Sequence, residues 1–275
     1  AASDVYKRQV MVPSQDGECT FTLKEGGRCP FLNDDNLCDL YIELGEDKLC
    51  ETCAEFPRFI NDYGNIREIG IAPSCKTAGE LMFSYKDELT FDTVEDNSLT
   101  LEPNDIDAYT YMHLRQARIV AFGIISDRDI SIFERLMLYL DYAKRIQKHL
   151  DAERDELIAG VAKRFCGADY REELLDKLKS RDEKLHGKRL IKGLRHFFDD
   201  FKGMEVINPD WNIHVARVRQ FLDGLADDSG LAAVMKTYHA GSEAFAHEYE
   251  QLAMYYVYRY LSLIHISEPT RRRGI

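Results

Sequence analysis

Residues 131–150, SIFERLMLYLDYAKRIQKHL, decide the fold. Phe133, Leu136, Leu140, Ala143, Ile146 and Leu150 recur at steps of three and four, which sets them on one face of an amphipathic helix. Ser131 and Glu134 have the spacing of a capping box, so the helix is predicted to begin there. Working outward, GKRLIKGLRHFFDDFKG (187–203) repeats the period through Leu190, Leu194, Phe197 and Phe201. HEYEQLAMYYVYRY (247–260) continues a stripe from Phe245 through Tyr249, Leu252, Tyr256 and Tyr260, read as core packing. No βαβ alternation and no internal repeat accompanies these helices. Residues 104–260 are therefore expected to form an all-helical domain.

The chain upstream is of another kind. Six of the seven cysteines fall between Cys19 and Phe83, in turn-rich sequence with little helical period. A polar bridge, KDELTFDTVEDNSLTLEPND (86–105), separates the two parts, punctuated by Pro103 and Asn104. The expected architecture is mainly α: a small turn-rich cysteine-cluster region, residues 10–90, followed by the helical domain.

The two ends read as neither. AASDVYKRQ (1–9) and LSLIHISEPTRRRGI (261–275) resemble translated sequencing adapters, and both are expected to be tags outside the folded protein. Setting aside Asp4, Lys7, Arg8, Glu268 and Arg271 to Arg273 takes the formal net charge from −12 to about −15. A chain this acidic is a poor partner for nucleic acid, whose binding rests on phosphate neutralisation. It gives no reason to expect an anionic membrane surface, and no apolar run reaches the length of a membrane span.

The informative stretch of the first part is GRCPFLNDDNLCDLYIELGEDKLCETCAEFPR (27–58), followed by APSCKTAGE (72–80). Cys29 precedes Pro30, and Cys38 follows the turn-forming NDDN. LCDLYIEL reads as a short helix stopped by Gly45, and EDKLCETCAEF as a second stopped by Pro57. Cys50 and Cys53, three apart, share a helix face, and Cys75 follows a Pro-Ser turn. Soft thiolates gathered on turns and helix ends are the ligand set for zinc or an iron–sulfur cluster. Three other readings stay open: a disulfide scaffold, a CxxC redox pair at Cys50 and Cys53, and buried free thiols. Cys166, alone in KRFCGADY, is expected to be buried. Arg58 of the PR pair suits a structural role as well as carboxylate binding. Glu134 and Arg135 of FERL read as a helix-surface ion pair, and His149, His186 and His196 as exposed helix residues.

The block from Cys29 to Arg58 resembles the flagellin lysine-N-methylase family, whose members carry a similar CPFL…LC…LGE…TC…PR pattern and then a lone cysteine. SIFERLMLYLDYAKRIQ and YYVYRYL are also similar to family segments. The resemblance implies that Cys29, Cys38, Cys53 and Cys75 are metal ligands, with Cys50 ranked below them and Cys19 without a counterpart. It places the chain near a broader class of zinc- or iron-chelating cysteine-cluster proteins. The family's upstream CxxxxC…CC cluster has no equivalent here, which the adapter junction at Gln9 is expected to explain.

The implied activity is transfer of a methyl group from S-adenosylmethionine to lysine side chains of flagellin, in the cytoplasm of a flagellated bacterium. The implied centre is an iron–sulfur cluster of the [4Fe–4S] kind, or zinc. No Gly-rich strand-to-helix loop marks a cofactor site, and no catalytic residue is assigned. The alternative is a non-catalytic, metal-stapled structural or interaction module.

Overall fold

The computed structural model describes residues 10–13, 19–87, 89–97, 107–185, 188–201, 206, 210–225, 230, 233–234, 236–238, 241 and 243–260. The expectations for 1–9, 261–275, Pro103, Asn104 and His186 concern residues outside that set, as do the side chains of Cys19 and Leu190. The chain divides into two compact units. One comprises residues up to Asn61 together with Ile69–Gly79, and the other Asp62–Glu68 together with everything from Glu80 onward.

In the first unit, β1 (Met11–Pro13) and β2 (Cys19–Phe21) pair antiparallel, with Met11 opposite Phe21. Helix α1 (Asp39–Leu44) starts at Cys38 and stops at Gly45, whose φ of 84° is a left-handed value that glycine adopts without penalty. Helix α2 (Glu51–Glu55) follows a single 3₁₀ turn at Glu46–Lys48. Gly45 thus ends the first helix as expected, while the second is shorter than EDKLCETCAEF, because Leu49 and Cys50 are extended.

Strands β3 (Arg58–Tyr63) and β4 (Ile66–Ile71) form a two-stranded hairpin. They turn at Gly64, where φ is 60°. Arg67 closes the turn with two 2.7 Å hydrogen bonds to the Asp62 carboxylate. Helix α3 (Lys76–Ser84) follows.

The second unit is built on α4 (Ala108–Ile125), α5 (Ile132–Asp151), α6 (Ile158–Phe165), α7 (Ala168–Leu185), α8 (Lys188–Asp200), α9 (Asp210–Gly224) and α10 (Ala246–Tyr260). Asp107 caps α4 by accepting from the Tyr109 and Thr110 amides. Ser131 and Glu134 form the full capping box at the start of α5. Helix α4 is central, packing against α5, α6 and α10, and the core gathers Leu114, Ala121, Ile125, Leu138, Tyr142, Ile146 and Val257. Helices α8 and α9 pack on each other.

The inward faces are rotated from those the apolar spacing predicts. On α5 the buried positions are Ile132, Arg135, Leu138, Tyr142 and Ile146, while Leu140 is 64% exposed. On α10 they are Glu250, Gln251, Met254 and Val257, and Phe245 and Tyr256 lie on the exposed side. Phe197 of α8 is likewise exposed. On α5 and α10 the buried faces include Arg135 and Glu250, paired with each other, and an apolar-only count leaves such polar residues out. Cys166, expected inside, is exposed at the end of α6.

Candidate functional site

In the first unit the backbone brings the cysteines onto turns and helix starts. Cys29 accepts from the Leu32 amide at 3.2 Å, and Leu32 bridges back to Cys38. Cys38 occupies the N-cap of α1 and Cys50 that of α2, with Cys53 in the first turn of α2. Cys75 closes the turn after Pro73, its amide donating to Ala72 at 3.1 Å, and its carbonyl accepts from Gly79.

Cys29, Cys38, Cys50 and Cys75 are half-buried, Cys53 and Cys166 are exposed, and none of these six is in a disulfide. Burial of its sulfur, a hydrogen bond with Cys50, and the nearby Cys50, Cys29 and Cys38 thiols push the Cys53 thiol up to about 11. A thiol held this high is a weaker nucleophile at neutral pH than an ordinary cysteine.

Four thiols thus share one neighbourhood: Cys29, Cys38, Cys50 and Cys53. Three of them are among the four that the family resemblance implies, Cys50 is the one ranked lower, and Cys75 is not among the groups that act on Cys53. The donor chemistry suits zinc or an iron–sulfur cluster. Among the described residues no three His, Cys, Asp or Glu side chains stand close enough to hold a metal ion.

Arg58 donates to the Ala54 carbonyl at 3.2 Å, so this arginine of the block ties down the end of α2.

The second unit holds two buried ionic clusters that sequence reading missed. Glu68, at the hairpin tip, binds Arg118 of α4 through both carboxylate oxygens, one contact measuring 2.8 Å, and both side chains are 8% exposed. Arg118 also donates to the Tyr258 carbonyl at 3.2 Å and lies over the Tyr258 ring. Tyr63 stacks on Tyr111 with ring centres 4.5 Å apart. Burial pushes both phenols upward; the Glu68 charge adds to this and the Arg118 charge opposes it.

The second cluster joins Glu250 to Arg135 at 2.5 Å and to Arg128 at 2.7 Å, and Arg135 also donates to the Ile125 carbonyl. Arg135 is therefore a buried ion-pair partner and not the helix-surface residue expected. The Gly64–Asn65 turn between alternating apolar runs was the signal for the hairpin. Nothing local marks its tip as the partner of Arg118.

A cleft of about 470 Å³ opens between α8 and α9, lined by Phe201, Trp211, Val215 and Ala216 with Asn212, Arg219, Gln220 and Asp223. Among the described residues no helix is long and apolar enough to cross a membrane.

A helical unit of this kind, with buried ionic clusters and an aromatic-walled cleft, is the part of the chain that comparison identifies. Residues 118–268, more than half of the chain, match the FliB lysine N-methylase C-terminal domain, and the chain belongs to that family. The matched range contains Arg118, Arg135, Glu250 and every residue lining the cleft, and leaves out the thiol region. No curated protein and no solved structure matched the chain.

Proposed function

We propose that this chain methylates lysine side chains of flagellin, with S-adenosylmethionine as donor, in the bacterial cytoplasm. The observation that carries the reading is the match of residues 118–268 to the FliB lysine N-methylase C-terminal domain. The reaction itself sets the requirements. Only the free amine of lysine attacks the methyl group. The new C–N bond forms as the C–S bond breaks, sulfur leaves as a neutral thioether, and the amine gives up a proton. The site must therefore hold the amine uncharged and in line with the departing sulfur. Glu68 and Glu250 are each held by arginines in buried pairs, so neither is assigned as the proton acceptor.

The test is co-expression with flagellin, read as methyl mass increments on lysine peptides. Increments that disappear when the gene is omitted are expected. No increment after anaerobic iron and sulfide loading would overturn the reading.

The same proposal gives the thiol region a zinc ion or a [4Fe–4S] cluster, supported by the gathering of four thiols. Such a group, when bound, would cross-link the turns of this small unit and supply folding free energy. Replacing Cys29, Cys38 or Cys53 with serine is expected to lower retained metal by about tenfold or more after desalting, while Cys166→Ser leaves it unchanged. Comparing Cys50→Ser with Cys75→Ser decides which of the two completes the set, and metal content unaffected by all of these removes the centre.

In a second reading the metal of the thiol region is a staple with no part in the chemistry, supported by the gathering of the thiols in a small, turn-rich unit. That outcome would appear as metal-dependent folding without binding of S-adenosylhomocysteine.

A further inference from the structure

We propose that the cleft between α8 and α9 binds an adenine nucleoside, the adenosine portion of the methyl donor; this rests on the methyl-donor reading above. Asn212, Val215, Ala216, Arg219, Gln220 and Asp223 follow one another at steps of three, one, three, one and three residues, which sets them on one face of α9. A face with that spacing is normally an apolar core stripe. Here four of the six are polar, and the two apolar ones at its middle, Val215 and Ala216, are short. The face is turned to solvent, with Asn212, Ala216, Gln220 and Asp223 exposed and Val215 and Arg219 half-buried, and the open cleft along it, about 470 Å³, is in the range of small-molecule sites.

The chemistry of the walls narrows the ligand. Phe201 and Trp211 meet edge to face, ring centres 5.3 Å apart and planes at 83°, and supply an aromatic wall on which a flat base can stack. Asn212 and Gln220 are carboxamides, each with a donor and an acceptor side by side, the pattern that adenine's amino group and neighbouring ring nitrogen satisfy. Arg219 is ion-paired with Asp199 at 2.5 Å, and Arg195 of α8 with Asp223 at 3.2 Å. The cleft is thus close to charge-balanced, which suits an uncharged base and sugar better than a polyphosphate. Asp223 is 68% exposed, and a carboxylate has lone pairs enough to accept from ribose hydroxyls as well.

Trp211 is the one tryptophan of the chain, so its fluorescence reports on the cleft. The 275-residue chain is titrated with S-adenosylhomocysteine, adenosine and guanosine, followed by fluorescence and by calorimetry. The first two are expected to change Trp211 emission saturably. Guanosine, which a carboxamide turned about its terminal bond can also pair, measures how far the cleft selects adenine. Ala216→Phe fills the cleft and should weaken S-adenosylhomocysteine by at least about tenfold. Gln220→Ala, at an exposed position that folding tolerates, should weaken it about fivefold with helical circular dichroism unchanged.

If calorimetry shows S-adenosylhomocysteine binding with equal affinity to the wild type and both variants, and Trp211 does not respond, the cleft is overturned and the methyl-donor reading stands. Equal binding of guanosine and adenosine overturns the adenine assignment. If the anaerobically reconstituted chain binds no S-adenosylhomocysteine, both fall.

Discussion

Glu250→Ala is expected to lower the thermal midpoint of the helical unit by about 10 °C, the equivalent of roughly 3–5 kcal/mol. Glu250 is 4% exposed and receives Arg135 at 2.5 Å and Arg128 at 2.7 Å. Arg128 is half in solvent and can turn to water, but Arg135 is 4% exposed and cannot. Without Glu250, Arg135 keeps the Ile125 carbonyl and loses its counter-charge, leaving a buried guanidinium without a carboxylate. The cost comes from the stranded charge more than from the lost pair. Replacing both partners, as Glu250→Leu with Arg135→Met, is therefore expected to recover most of the stability.

The same residue sets a pH dependence. Burial pulls the Glu250 carboxyl upward, but hydrogen bonds and charge from Arg128 and Arg135 outweigh it and hold the group below the usual glutamate range. Its contribution is complete above the unfolded value of about 4.3 and is lost as pH falls through the lower, folded value. Denaturant unfolding of Glu250→Gln should consequently show a flatter decline below about pH 4 than the wild type. Parallel curves would show that Glu250 does not titrate in this window.

The second large effect is expected from Arg118→Met. Glu68 is then left 8% exposed without its guanidinium, at a cost again of about 3–5 kcal/mol. The Tyr258 carbonyl loses its donor in the same change. Because Glu68 lies on the 62–68 hairpin tip that belongs to the helical unit, hydrogen exchange should accelerate across that tip while the α5 amides stay protected longer. Adding Glu68→Leu should return most of the loss. Uniform acceleration across the whole unit would instead make the pair part of the global core.

What was legible in the sequence was what neighbours in the chain settle. The helical class, the Ser131–Glu134 capping box and the stop at Gly45 follow from spacing, capping chemistry and a left-handed glycine, all within a few residues. The cysteine-rich part stood out by composition, and four of its thiols do share one neighbourhood, yet their spacing as a ligand set was not readable from separations along the chain. Nor was the hairpin's destination, or a cleft whose walls come from Phe201 and the far face of α9.

Tertiary structure alone decided which faces turn inward. The apolar rule marks a helix face by its hydrocarbon, but the buried faces of α5 and α10 include Arg135 and Glu250, which lie 115 residues apart. Glu68 and Arg118, 50 residues apart, join in the same way. A charge is buried only when its counter-charge arrives from elsewhere in the fold. Local pattern therefore determined the helices, and long-range pairing determined which charges are buried.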